Sequence, residues 1–384
     1  MRSCIKHLTA LRQVEVIISE VTTLLSLNDE ASDLPLCEGK NTRNVEVEII
    51  SQENIKPSLP TPHHLRTYKL SLLDQLMPPM YNQFVFFYSN NRETEDLNNV
   101  INERSKRLKQ LLSETLTRFY PFAGAVKDNL HIDCDDAGVY YVEAHVKDNL
   151  SDFLNKPDYN LNPPYYRSTR VLRRFVFDAP ALVALKEEAR GLGVPKPTRV
   201  EAVTALIWKC ASSASEERHG SERPSLLSLG VDLRSRNVPP LPQESIGNIV
   251  FHAVAKSAGS TTLELPSLVS GLRNAIEKIK GDFLEELKGD DAFIKLRKSQ
   301  MEFLEDYSNS GADYFFVSSL CNAGFHEGDF GWGKPLWSCI ANASIESPTF
   351  PNQMLLMETR SGGIEAWVNL DEQDMAFFSK VQNS

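Results

Sequence analysis

Apolar residues alternate or cluster along much of the chain in patterns that predict strands and helices in turn. In residues 97–119, apolar side chains recur at spacings of three, four and seven, which indicates one face of a helix that ends at Tyr120-Pro121. Short apolar runs predict strands at 82–88, 173–178, 354–360 and 364–370, with a helix at 180–190. This alternation predicts a mixed α/β protein in two halves.

A hairpin is predicted around the turn Asp135-Asp136-Ala137-Gly138. Aspartate and glycine favour tight turns, short strand-like stretches lie on either side, and VYYVEAHV (139–146) would form the return strand. Further along, Thr198-x-x-Glu201 has the pattern of a capping box and predicts the start of a helix.

The chain divides into three sections by its patterning. Val14–Glu20 is echoed by Val45–Glu53, either by coincidence or as a duplicated first strand, and the polar segment between the copies resembles a linker. Between Asn149 and Arg170 no periodicity persists, so this stretch reads as a connection. The predicted sections are an extension at 1–44, a first domain at 45–165 and a second at 166–384.

Composition narrows the class of protein. At 384 residues the chain has room for about two domains. A net charge of −10 argues against a nucleic-acid partner. Six widely spaced cysteines, with no histidine at metal-ligand spacing, indicate reduced thiols in a cytoplasmic protein without a metal site. No apolar run approaches the ~18 residues that cross a bilayer. We therefore expect a cytoplasmic monomer that binds neither membrane nor nucleic acid.

The stretch HIDCD places His131 four residues before Asp135, a combination that could serve acid–base chemistry. In a strand the two residues would share a face but lie about 13 Å apart at ~3.3 Å per residue, too far to touch. In a helix they would be neighbours, but the turn that starts at Asp135 excludes a helix. We therefore interpret His131 and Asp135 as polar residues of a hairpin strand and not as an active site.

A second motif, GDFGWGKP (328–335), is more specific. Three glycines lie within six residues around an aspartate and a tryptophan. Such a loop requires positive φ angles or close backbone contacts, and its tryptophan can anchor it in a core.

Together with this loop, eight further motifs resemble the BAHD family of plant acyl-CoA-dependent acyltransferases. The resemblance runs from about Val45 to the C-terminus. It rests on PTPHHLRTYKLSLLDQ (60–75), TRFYPFAGAV (117–126), IDCDDAGVYYVEAHV (132–146), RRFVFD (173–178), TRVEAVTALIWK (198–209), VDLRSR (231–236), IGNIVF (246–251), DFGWGKP (329–335) and EAWVNLDEQDM (365–375).

The resemblance implies a two-domain α/β fold of the chloramphenicol-acetyltransferase type around a solvent channel. Acyl-CoA, a cosubstrate and not a bound cofactor, would enter from one side, and a small-molecule acceptor from the other. It also implies that Asp329 of the loop Asp329-Phe330-Gly331-Trp332-Gly333 pairs with Arg234 or Arg236, so that the loop has a structural role. Acyl-CoA phosphates are expected near Lys196, Thr198 and Arg199, where a helix N-terminus favours anions, although these residues could equally form a solvated cap.

In that family a His-x-x-x-Asp histidine deprotonates the acceptor, and it lies well after the hairpin strand that HIDCD matches. This chain has no such motif there, since NLSDFLNK is followed almost directly by PPYYRSTR. The first domain is therefore expected to be incomplete, and the catalytic residue to be absent. Two interpretations remain: an acyl-CoA-dependent O-acyltransferase of plant secondary metabolism whose present chain is inactive, or a protein that only binds a ligand or partner.

Overall fold

The computed structural model describes residues 47–76, 84–89, 97–146, 170–259, 264–279, 285, 289, 291–340 and 352–381. These residues fall into two compact units. Unit 1 comprises residues 1–167, 246–248 and 323–342, and unit 2 comprises 168–245, 249–322 and 343–384. The predicted extension at 1–44 lies outside the described residues. No helix in the described part of the chain is both long and apolar enough to cross a membrane.

In the described residues, unit 1 contains three small sheets and one long helix. Its elements are β1 (Val47–Ile55), β2 (Thr67–Lys69), α1 (Leu72–Leu76), β3 (Phe84–Phe87), α2 (Leu97–Arg118), β4 (Ala125–Lys127), β5 (His131–Asp133), β6 (Val139–Val146) and β11 (Trp337–Ile340). The antiparallel ribbon β1–β6 packs on helix α2, and the residues buried together between them are Ile55, Leu116, Val139 and Tyr141. Lys109 of α2 reaches Glu53 of β1 at 2.7 Å and Glu143 of β6 at 3.2 Å.

The prediction of a hairpin around residues 135–138 is wrong, because the strands on either side of this turn do not pair with each other. Strand β5 pairs with β2 and β4, whereas β6 pairs with β1. The tight turn lies earlier, in the three residues that join β4 to β5. Leu130 N–H donates to Lys127 O at 3.0 Å, and the two central residues of this turn, Asp128 and Asn129, have positive φ angles of 52° and 55°. Asp136 instead fixes the 135–138 loop, because its carboxylate accepts hydrogen bonds from Thr61 and pairs with Arg66 at 3.0 Å.

The glycine-rich loop belongs to unit 1. The sequence prediction instead assigned it to the second domain, together with all other residues after 165. The cause is β11, which follows the loop and pairs antiparallel with β3. Trp337 stacks on Phe87 with ring centroids 5.3 Å apart, and Leu336 N–H donates to Phe87 O at 2.7 Å. These contacts attach residues 323–342 to the first unit.

The described elements of unit 2 are β7 (Arg170–Phe177), α3 (Ala179–Glu188), α4 (Arg199–His219), β8 (Ser225–Asp232), β9 (Val250–Ser257), α5 (Leu265–Glu277), α6 (Ala292–Ser310), β10 (Asp313–Ser319), β12 (Asn352–Glu358), β13 (Ile364–Asp371) and α7 (Glu372–Val381). Six of these strands form one sheet in the order β7-β13-β12-β10-β8-β9. Strand β10 runs parallel to β8 and β12, and the other pairs are antiparallel.

Helix α4 forms the centre of the unit 2 core. Twelve of its residues are buried, and the fully buried Trp208 donates from its indole N–H to Ser225 Oγ at 3.0 Å. The predicted capping box is confirmed, since Thr198 Oγ1 accepts from Glu201 N–H while Glu201 Oε2 accepts from Thr198 N–H. The predicted strands at 82–88, 173–178, 354–360 and 364–370 and the helices at 97–119 and 180–190 are also confirmed.

Removing the Thr198 cap should destabilise unit 2. We expect Thr198→Ala to lower the free energy of unfolding by about 1 kcal/mol, because the N–H of Glu201 loses its partner at the start of a buried helix. Urea denaturation followed by circular dichroism measures this difference. Ser221→Ala, which deletes a hydroxyl from an exposed position beyond the end of α4, is the matched control and should leave the midpoint unchanged.

Candidate functional site

The glycine-rich loop is held by its own aspartate. Asp329 Oδ1 accepts N–H groups from Gly331 at 2.8 Å and from Gly333 at 3.0 Å. These bonds lower the pKa of Asp329 below its ordinary value, because they favour the charged carboxylate. Gly331 and Gly333 have φ angles of 113° and 103°, which confirms the predicted need for glycine at both positions.

Aromatic contacts anchor the same loop within unit 1. Tyr88 donates from its hydroxyl to Gly328 O at 2.9 Å and meets Trp332 edge-on at a centroid distance of 6.2 Å. Phe330 lies 5.6 Å from the Trp332 ring, and the Arg104 guanidinium lies over that ring at 5.4 Å. Trp332 therefore packs as part of an aromatic cluster that joins the loop to β3 and α2.

The two arginines of VDLRSR lie in unit 2. Arg234 is buried, pairs with Asp232 at 3.1 Å and donates to Ser245 O at 2.9 Å. Arg236 is half-buried, and its N–H closes a turn onto Leu233 O. Asp329 lies in the other unit, so its ion pair with Arg234 or Arg236 stays a prediction.

At the N-terminus of α4, charge is already balanced by side chains of unit 2. Arg199 pairs with Glu358 at 2.7 Å and donates to Gly362 O at 2.8 Å. Although burial alone would raise the pKa of Glu201, hydrogen bonds from Arg273 and from Thr198 N–H lower it. Lys196 is exposed. A CoA-binding role for Lys196, Thr198 and Arg199 stays a prediction, in which Lys196 is the cation best placed for an added anion.

The HIDCD stretch brings no acid–base pair together in the described structure. His131 lies on β5 between Lys69 of β2 and Lys127 of β4. Asp135 lies beyond the strand, and its Oδ1 accepts the N–H of Ala137 at 3.0 Å, closing a local turn. The interpretation of both residues as non-catalytic stays a prediction, and this geometry supports it.

His252 is a feature that the sequence motifs did not single out. It lies on β9 opposite Gly230 of β8, with its ring 4.9 Å from that of Phe316. Its Nδ1 is buried and has no hydrogen-bond partner among the described residues. Burial lowers the pKa of His252 to about 4, because the charged form would lose its hydration. No local pattern around His252 signals this environment, which the neighbouring strands create.

Comparison with known proteins identifies the family. A model of the Transferase family, the BAHD acyltransferases, matches residues 45–166 and 160–384. The chain therefore belongs to this family, and the membership that its motifs indicated is confirmed.

Individual relatives agree with this assignment. The chain is 36% identical to an epi-neemfruitin B 7-O-acetyltransferase from Melia azedarach, over 86% of this chain and 96% of the relative. It is 33% identical to a limonoid 7-O-acetyltransferase from Citrus sinensis, over 86% and 95%. The crystal structure of vinorine synthase matches with a TM-score of 0.70 and 29% identity, over 86% of this chain and 96% of that chain. The predicted two-domain α/β fold is confirmed.

Loss of the Asp329 carboxylate should loosen the loop. We expect Asp329→Ala to speed hydrogen exchange in a peptide spanning 328–335, because the N–H groups of Gly331 and Gly333 lose their acceptor. Hydrogen exchange read by mass spectrometry measures the change. Asp329→Asn keeps a carbonyl oxygen and should exchange more slowly than the alanine variant; equal rates for all three proteins would contradict this account.

His252 should make stability depend on pH. Its pKa is near 4 when folded and about 6.5 when unfolded, so the unfolded state binds more protons between these values. The free energy of unfolding should fall as pH decreases through this window, by about 2 kcal/mol at pH 5 relative to neutral pH. Urea denaturation at several pH values tests this.

Two leucine variants isolate the contribution of His252. His252→Leu should remove this part of the pH dependence, whereas His145→Leu, at an exposed position on β6, should retain it. An unchanged slope in the His252 variant would contradict the assignment.

Proposed function

We propose that this chain is an acyl-CoA-dependent O-acyltransferase by descent, specialised for a plant secondary metabolite, and that its 384-residue form has lost most of its turnover. The reaction class follows from the family, and the names of the relatives give the group transferred and the atom that receives it. Those relatives are named as O-acetyltransferases of limonoids. An acetyl group and an apolar alcohol are therefore the proposed acyl group and acceptor.

In the proposed reaction the acceptor hydroxyl gives up its proton and its oxygen attacks the thioester carbonyl of acyl-CoA. The carbon–sulfur bond then breaks, the CoA thiolate takes up a proton, and an ester is formed. A general base that accepts the hydroxyl proton contributes about 10²–10⁴-fold to such a step. A chain without that base keeps its binding surfaces but loses this factor.

The observation that carries the proposed loss is the interruption of the family match. The family model matches in two pieces that meet at residues 160–166. The alignment with the Melia enzyme spans 433 positions, but 86% of 384 residues is about 330, so about 100 positions hold a residue only in the relative. Both findings support a missing internal segment near the point where the sequence pattern breaks off.

The second candidate function is binding without turnover. It is favoured by the same interruption, because the glycine-rich loop and a six-stranded sheet of unit 2 are present among the described residues, whereas the sequence predicts that the base is absent. CoA would then bind near Lys196 without being consumed. A cytoplasmic monomer stays a prediction from the sequence under either candidate.

Turnover by the purified chain decides between the two. With acetyl-CoA and a limonoid bearing a free 7-hydroxyl, we expect product formation at least about 100-fold slower than by the Melia enzyme under the same conditions, since base catalysis is lost. Mass spectrometry of the acetylated product gives the rate. A rate within a few-fold of the relative would refute the proposed loss.

Two further measurements complete this test. Sequencing the transcript across the codons for Asn149 to Arg170 shows whether a longer message carries a His-x-x-x-Asp segment. Calorimetric titration with CoA shows whether the short chain still binds the cosubstrate. Absence of CoA binding by the folded chain would contradict both candidate functions.

A further inference from the structure

The two faces of the unit 2 sheet differ around His252, where strands β8, β9 and β10 lie side by side. On one face every second residue is buried, and helices α4 and α5 contact these strands. These buried residues are Leu227, Leu229, Ala253, Ala255 and Val317. The opposite face, which we call the His252 face, also has buried residues, namely Leu226, Ser228 and Tyr314. Beside them the register places four half-buried residues, Gly230, His252, Val254 and Phe316.

The imidazole on this face has an unusual hydrogen-bonding state. Nδ1 is sealed from solvent without a partner, whereas Nε2 is not among the buried polar atoms that lack one. The His252 side chain makes no hydrogen bond to the described residues and only its Nδ1 is sealed, so Nε2 is the ring nitrogen that a ligand can reach. A neutral imidazole with its proton on Nδ1 presents a lone pair at Nε2 and can accept a hydrogen bond there.

The surroundings select a neutral and largely apolar ligand. The Phe316 ring lies beside the imidazole, Val254 belongs to the same partly buried apolar surface, and Gly230 adds no side chain. Desolvation alone accounts for the lowered pKa of His252, so no neighbouring charge contributes to it. An anionic ligand such as CoA phosphate would therefore find no counter-charge here. A neutral, apolar alcohol needs none, and it can bury its apolar surface against these side chains.

We propose that the His252 face binds the acceptor alcohol and that His252 Nε2 accepts a hydrogen bond from the hydroxyl to be acylated. This inference rests on the proposed acceptor class. It adds a specificity contact: the residue that distinguishes a free alcohol from its ester, since only the alcohol has a proton to donate.

His252 is a binding contact and not a replacement base. A general base acts best when its pKa lies near the working pH, and a group with a pKa near 4 takes up a proton poorly at neutral pH. A base histidine also needs a partner for its second nitrogen, to orient the ring and to stabilise the imidazolium. Nδ1 of His252 has none among the described residues.

The test compares two ligands and three proteins by calorimetric titration at pH 7.5. The ligands are a limonoid with a free 7-hydroxyl and the same compound as its 7-O-acetyl ester. We expect the unaltered chain to bind the alcohol about two- to tenfold more tightly than the ester, the range for one hydrogen bond between neutral groups. His252→Leu should bind both equally, and His252→Gln, which keeps an acceptor, should recover part of the preference.

The control is His145→Leu, at an exposed position on unit 1, which should keep the full preference. Near-ultraviolet circular dichroism verifies that each variant is folded. An unchanged alcohol-to-ester ratio in His252→Leu would overturn the inference. So would CoA binding without any binding of the alcohol, a result that leaves the acyl-CoA part of the proposed function intact. Failure to bind either compound would count against both.

Discussion

The pairing of β3 with β11 determines which segments of the chain make up unit 1. Four backbone positions of Phe84–Phe87 match Trp337–Ile340, and the stacked rings of Phe87 and Trp337 bury the join. Because β11 directly follows the glycine-rich loop, this one ladder brings the loop to Tyr88 and Arg104. The loop's geometry then follows from local chemistry: Asp329 satisfies two backbone N–H groups, and two glycines supply the positive φ angles.

Local pattern predicted most of the elements but not all of their partners. The spacing of apolar residues located α2, and the Thr198–Glu201 box located the start of α4, since both signals depend only on residues within one or two turns. The hairpin at 135–138 failed because a strand's partner is a non-local choice. β6 pairs with β1 because Val139 and Ile55, which lie opposite each other, are buried in one cluster together with Tyr141.

The same distinction applies to the candidate site. The glycine-rich loop could be predicted, because glycine spacing directly reflects backbone conformation. The state of His252 could not, because Gly230 and Phe316, from two other strands, create its surroundings. Arg199 shows what a helix-start pattern leaves out: its position favours anion binding in the sequence, and the fold adds Glu358 as an ion-pair partner from a distant strand.

The interleaving of the two units has a consequence for synthesis on the ribosome. Unit 1 begins at the N-terminus, yet it needs residues 323–342, which are made after residues 168–245 and 249–322 of unit 2. Chains commonly fold domain by domain from the N-terminus as they emerge. Here β3 must await β11 while most of unit 2 is translated, and the apolar Phe-Val-Phe-Phe of β3 stays without its pairing strand during that time. The nascent chain therefore depends on protection of β3 more than on early folding of its first half.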